Sequence, residues 1–178
     1  MDADIGLATL TSLLDLDELE VVEASRDRVE KVRRLTLVPK TIIGLCPHCQ
    51  VATDERHVCH DRAIADLPMG GQRVELVVRL SQFHCRACDK FFTPRLAALA
   101  EGAHATERLL ERLAELASHS DVATAARFFG IPQKTAEGWY YSYLERKRKE
   151  PGPRLAPVRS LGIDELSLKK DTGNSAAC

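Results

Sequence analysis

Four of the six cysteines fall into two pairs of identical spacing, Cys46-Pro47-His48-Cys49 and Cys85-Arg86-Ala87-Cys88. Two residues between thiolates let both sulfurs face one ion, with backbone amides of the turn supporting them. Four thiolates at about 2.3 Å close a tetrahedral shell around zinc, leaving no position for water, so such a zinc is structural. The 35 residues between Cys49 and Cys85 exceed the ~15–20 of a compact four-cysteine site, an excess that a hairpin absorbs. His57, Cys59 and His60 lie between the pairs; they either compete as ligands or are plain loop and strand residues. His48 and His84, in and beside the pairs, are expected to be exposed, and Cys178 has no assigned part. The competing reading of all these thiols is that they are ordinary buried or redox cysteines.

A second constellation spans 121–141. A helix-turn-helix needs a small residue where its two helices cross and a glycine for the tight turn. Ala125 and Ala126 meet the first need and Gly130 the second. Val122, Phe129, Ile131, Ala136 and Trp139 fall where apolar contacts are required, and Asp121 suits the N-cap. The second helix then begins near Pro132 or Gln133 and presents Gln133, Lys134, Thr135, Glu137 and Gly138. Early residues of such a helix reach base edges in the major groove. Gln133, Lys134 and Thr135 are therefore expected to contact DNA, with Arg127, Arg146, Lys147 and Arg148 on phosphates. The alternatives are a helical hairpin that only packs internally and a basic run solvated at a helix end. Glu137 and Gly138 fit the DNA reading poorly, because one repels phosphate and the other weakens the helix.

The elements that must position these residues follow from periodicity and turn signals. Residues 7–16 suggest a short helix or an irregular apolar entry. Residues 18–24 and 29–38 suggest a β-hairpin turning at Ser25-Arg26-Asp27. Residues 73–83 give the clearest strand, after the turn signal Pro68-Met69-Gly70-Gly71, and would deliver the second cysteine pair beside the first. Residues 104–118 switch to helical spacing with Leu109, Leu110, Leu113 and Leu116 on one face. Helices over 121–129 and 133–149 are split by Gly130-Ile131-Pro132, and Pro151-Gly152-Pro153 reads as a linker. Residues 158–168 read as a strand. The expected fold class is α+β: a small β-hairpin region (1–39), a zinc ribbon (40–97), a helical helix-turn-helix domain (98–150), and a linker with one strand (151–178).

Charge neither favours nor excludes nucleic acid globally, since the net charge is −1, so a DNA-binding argument rests on local patches. Residues 1–27 hold eight acids against the single base Arg26, and the basic stretches come later. No apolar run approaches the ~18–20 residues of a membrane span. The acidic start Met1-Asp2-Ala3-Asp4 lacks the basic region of a signal peptide. A cytoplasmic location is expected, and reduced thiols there favour metal over disulfides.

The order of parts also carries a resemblance. A hairpin is followed by Cys46-Pro47-x-Cys49, Asp66-Leu67-Pro68-x-Gly70 and an alternating strand. Then come Phe83-His84-Cys85-x-x-Cys88, Phe91-Phe92-Thr93, the helix pair and Leu161-Gly162-Ile163-Asp164-Glu165. This resembles the N-terminal portion of the ISL-three family of insertion-sequence transposases, from about residue 12 to the end. The resemblance implies recognition of double-stranded DNA at transposon terminal repeats. It also implies a following ribonuclease H-like domain that cleaves and joins DNA with two metal ions on three carboxylates. Asp164 matches the first of the three by that resemblance, on the first strand of an incomplete domain. Glu165 would point to the opposite strand face and is assigned no role.

With one carboxylate of three, these 178 residues alone are expected to be inactive, and magnesium would matter only with the missing catalytic domain present. The partners implied are duplex DNA and a second copy in a homodimer, with no membrane. Other function classes remain open: a zinc-stabilised protein-interaction module or regulator, and a subunit completing a nuclease site with another chain. Purified protein tested for magnesium-dependent cleavage and for salt-dependent DNA binding separates the three.

Overall fold

The structure is a computed structural model describing residues 2–150, with side chains from residue 6. The expected linker Pro151-Gly152-Pro153 and the expected strand over 158–168, with Asp164, lie outside the described residues.

The fold is α+β. Helix α1 (Asp2–Leu14) is followed by β1 (Leu19–Asp27) and β2 (Val32–Pro39). Two short strands, β3 (Gly44–Leu45) and β4 (Ala52–Thr53), flank the first cysteine pair. The long strands β5 (Arg56–Met69) and β6 (Gln72–Cys85) follow, then β7 (Lys90–Phe92). Helices α2 (Glu107–His119), α3 (Val122–Phe129) and α4 (Gln133–Lys149) close the described chain.

The strands form one mixed sheet in the order β1-β2-β6-β5, with β7 on the end of β6, and β3–β4 stands apart as a two-stranded ladder. Strand β6 is the spine. From Gln72 to Phe83 it pairs antiparallel with β5. Its other edge takes β2 in parallel over 73–78 and β7 antiparallel over 83–85. Burial alternates along β6 as a half-buried strand requires, with Val74, Leu76, Val78 and Leu80 inside. After Leu80 the parity changes to Phe83 and Cys85, opposite a bulge between Arg56 and Val58 in β5. The extra residue of that bulge lies in β5; Phe83 and Cys85 occupy odd positions of β6, and so face the side opposite Leu80, where the cysteine cluster lies.

Two turns differ from their expected form. The β1–β2 turn occupies 28–31, later than Ser25-Arg26-Asp27, because β1 continues to Asp27. Asp27 instead accepts the backbone N–H groups of Val29 and Glu30, both at 2.9 Å, which makes it the residue that initiates the turn. Pro68 and Met69 belong to β5, and the turn is Gly70-Gly71 alone, with φ of +59° and +72°. Two positive φ values are what a two-residue hairpin turn matching strand twist demands. Pro68, which has no N–H to donate, lies in the irregular stretch between Asp66 and Met69.

Three apolar cores result. One lies between α1 and the sheet and contains Leu14, Leu19, Leu35, Leu37, Ile64 and Leu76. A second is helical, around Leu109, Leu113, Ala125, Ala126, Phe129 and Ala136. The third is small: Phe83 and Phe92 under Cys46 and Cys85. The helical part is tied to the sheet through Asp66, which is buried in β5. Its carboxylate accepts the Thr106 hydroxyl at 2.7 Å and Arg108 Nε at 2.9 Å, with Arg108 Nη2 on the second oxygen. Arg108 also donates to the carbonyl of Leu14 at the end of α1. Thr106 is the N-cap of α2 and accepts the amide of Leu109.

Candidate metal centre and nucleic-acid interface

Each cysteine pair sits at the tip of a small hairpin, β3–β4 for Cys46 and Cys49 and β6–β7 for Cys85 and Cys88. The two tips are built alike. The carbonyl of the first cysteine accepts the amide four residues on, Gln50 to Cys46 at 2.9 Å and Asp89 to Cys85 at 2.7 Å. The residue after each pair is left-handed, with φ +61° at Gln50 and +57° at Asp89. Gly44 lies where β3 crosses the small core; a Cβ there would fall 3.0 Å from Phe92 and 3.1 Å from Phe83.

The four Sγ atoms lie within 4.8 Å of one another. The separations Cys46–Cys88 and Cys49–Cys85 are 3.6 Å and 3.4 Å, too long for disulfides. They approach the ~3.8 Å edge of a tetrahedron whose centre is 2.3 Å from each sulfur. Burial opposes ionisation of Cys46, but the amides of His48 and Cys49 and the Cys88 thiol outweigh it and bring Cys46 down to about 6. Burial, and then Cys46, Cys49 and Cys85, push Cys88 up to about 12. Four thiolates this close repel one another unless a cation sits among them, so the donor set fits zinc. A bound zinc would pin the two hairpins tip to tip.

The residues that could have competed as ligands lie elsewhere. Cys59 contacts the Ser81 hydroxyl at 3.4 Å, and His57 packs on Phe91. Neither they nor His60 joins the sulfur cluster. His48 is exposed as expected, but His84 is half-buried. It lies against Phe91, 2.8 Å from Asp89 and 3.6 Å from Glu55. The bond to Asp89, against burial and with help from Glu55, raises its pKa. Glu55 also binds Arg86, so one carboxylate holds the residues on either side of Cys85.

In the helical part, Asp121 caps α3 by accepting the Thr124 amide at 2.8 Å. Gly130 ends α3 with φ +66°, and its amide bonds the carbonyls of Ala126 and Arg127. Three residues later α4 begins, crossing α3 at the buried Ala125, Ala126 and Ala136. Gln133, Lys134 and Thr135 are exposed at its start, and Trp139 is half-buried against the helical core. Gln133 donates to Glu137 at 2.8 Å.

The basic run at the end of α4 is mostly engaged. Arg146 grips both oxygens of Glu107 at 2.7 and 2.5 Å, which ties α4 to the start of α2. Lys147 pairs with Glu150 and Lys149 with Glu145. Arg148 is exposed without an ion pair among the described residues, and Arg127 donates to the Thr124 hydroxyl and acts on the nearby Asp121. Sequence reasoning missed Glu107 as the partner of Arg146. It also missed Asp66, although both carboxylates were visible as acids beside a helix start and a turn.

Two hairpin tips, four sulfurs and a closed shell define a zinc ribbon followed by a three-helix unit. Residues 44–88 match the family model for the zinc-finger of transposase IS204/IS1001/IS1096/IS1165. The chain is 29% identical over 134 residues to the transposase for insertion sequence element IS1001 of Bordetella parapertussis. That alignment covers 75% of this chain and 32% of the relative, so the chain spans about a third of the length of the curated relative it matches. The resemblance to the N-terminal part of an ISL-three family transposase therefore stands on the match and on the cysteine geometry together. No solved structure matches. No helix among the described residues is long and apolar enough to cross a membrane.

Proposed function

We propose that this chain is the DNA-binding portion of a transposase, recognising duplex DNA at transposon terminal repeats. In this reading α3 and α4 form a helix-turn-helix, α4 enters the major groove, and the zinc ribbon fixes the sheet that supports them. The observation that carries the reading is the arrangement at Gly130. A left-handed glycine and three buried alanines seat α4 on α3, while Gln133, Lys134 and Thr135 stand exposed at its first turn. That is the placement in which early helix residues reach base edges.

The likeness to a transposase supports the same reading. Lys134, Gln133 and Thr135 are the base-edge contacts, and Arg127 on α3 and Arg148 at the far end of α4 the phosphate contacts. Arg146 and Lys147, both held by carboxylates, serve packing first. Asp164 would belong to the catalytic part of such a protein, with magnesium, and not to this surface. The working place is the cytoplasm, with the DNA, and a homodimer would bring two such surfaces to two ends.

The test is binding of purified protein to a terminal-repeat duplex and to a scrambled duplex over a salt series. Preference for the repeat and a steep loss of affinity with salt are expected. Lys134→Ala should fold as the parent does, since surface changes move stability by ~0.5 kcal/mol or less, yet bind more weakly. Equal affinity of parent and Lys134→Ala at low salt would overturn the assignment of α4 as the recognition helix.

A further inference from the structure

We propose that the turn of the β1–β2 hairpin is a second DNA contact, a basic wing that grips duplex phosphates beside the groove occupied by α4. It rests on the DNA-binding reading above and adds a surface that no motif indicated. The first 27 residues are strongly acidic, yet 26–34 reads Arg-Asp-Arg-Val-Glu-Lys-Val-Arg-Arg, five cations against two acids. Strand pairing sets Arg73 beside Val32 and so adds a sixth cation.

The protein compensates only part of this charge: Asp27 and Glu30 act on Arg34 beside its Glu75 partner. Asp27 is engaged with the amides of Val29 and Glu30. Arg34 pairs with Glu75. Arg26, Arg28, Lys31 and Arg73 are exposed, and none forms an ion pair among the described residues. The Nε of Arg33 is buried with no hydrogen-bond partner. The end of α4 is the opposite case: it has as dense a run of cations, but Arg146, Lys147 and Lys149 each hold a carboxylate. Charge counting points to α4's end, whereas uncompensated charge points to the hairpin.

The hairpin also lies in the right place. Arg73 packs so closely on Gly130 that a Cβ there would fall 2.7 Å from its Cδ. Glu30, Val32 and Arg34 line the same cleft as Gly130, Pro132 and Thr135. The wing is therefore a neighbour of the first turn of α4. Its tip, Val29, is 92% exposed, with Arg28 before it and Glu30 and then Lys31 after it. Duplex DNA carries one negative charge per ~1.7 Å of axis, so a duplex meeting Lys134 presents further phosphates to a neighbouring basic edge.

The test compares the parent, Arg28→Gln/Lys31→Asn, the charge-keeping Arg28→Lys/Lys31→Arg and Lys134→Ala on one terminal-repeat duplex over 50–200 mM salt. Asn suits position 31, where φ is +54°. Bound zinc and the thermal midpoint check that each variant folds. The neutral double variant should lower the slope of log affinity against log salt by about 2, a deficit that shrinks about tenfold across that range. The charge-keeping variant should bind as the parent does. A neutral variant with the parent's slope, while Lys134→Ala binds weakly, overturns the wing and leaves α4 as the contact. A parent without salt-dependent binding to duplex overturns the DNA reading itself, and the wing with it.

Discussion

Replacing Asp66 by Ala should detach the helical unit from the sheet. The Asp66 side chain is 1% exposed and that of Arg108 is 30% exposed. The two are joined by two hydrogen bonds, and the Thr106 hydroxyl completes the carboxylate's shell. Removing one partner of a buried pair costs ~3–5 kcal/mol, mostly as the penalty of the charge left behind. That penalty differs by direction here. In Asp66→Ala the remaining Arg108 can turn toward water and keeps its bond to the Leu14 carbonyl, so the loss should be at the lower end, ~3 kcal/mol. In Arg108→Ala the carboxylate stays buried with only Thr106, and the loss should be at the upper end, ~4–5 kcal/mol.

Trp139, the single tryptophan, packs on the helical core and reports unfolding of that unit by fluorescence in a denaturant series with zinc present. The double variant should cost less than the two single losses added, because the pair is coupled. A loss below ~1 kcal/mol in Asp66→Ala would refute the argument that this buried carboxylate joins the two parts, and equal losses in both single variants would refute the asymmetry.

Cys85→Ser should bind no zinc by metal analysis and should lose amide protection over 44–53 and 83–92, since binding free energy at such sites is folding free energy. The α1–sheet core of Leu35, Leu37, Leu76 and Val78 should keep its protection, and full zinc retention would reject the four-cysteine site. Gly130→Val should cost about 2 kcal/mol in the same fluorescence assay, because its φ of +66° is left-handed and its Cβ would meet Arg73; unchanged stability would show that the turn relaxes freely. Trp139→Ala should cost ~2–3 kcal/mol by circular dichroism melting, below the range for a fully buried aromatic because Trp139 is only half-buried.

What was legible in the sequence was local. Paired cysteines with two residues between them mark a knuckle whatever surrounds them. The 3.6-residue spacing of Leu109, Leu110 and Leu113, broken by Ser120-Asp121 and again by Gly130-Ile131-Pro132, marks three helices. Both signals lie within a few residues of the feature they describe. The parallel pairing of β2 with β6 is not of this kind. Val32 meets Arg73 across 41 positions, and no residue type announces a parallel partner; both strands read alike whether they pair or not. Asp66 was visible within Asp66-Leu67-Pro68 as part of a turn. Its structural work depends on Thr106 and Arg108, some 40 residues on, so its role could not be read from its neighbours.

The same non-local pairing explains the long separation of the cysteine pairs. A compact ribbon needs only a short hairpin between its knuckles. Here the hairpin is extended, and its far half runs on from the metal into the middle of the main sheet: β6 gives 73–78 to β2 and 83–85 to β7. One strand therefore carries the order imposed at the sulfurs toward Arg73, which packs on Gly130. Alternation lets the strand serve both ends, since the odd positions Phe83 and Cys85 face the cysteine cluster while the even positions Val74, Leu76 and Val78 lie on the α1 core. Cys85 in the sulfur cluster and Arg73, whose side chain packs on the turn before α4, thus sit near opposite ends of one strand, so a metal held at Cys85 would order the strand on which that contact is built without touching α4.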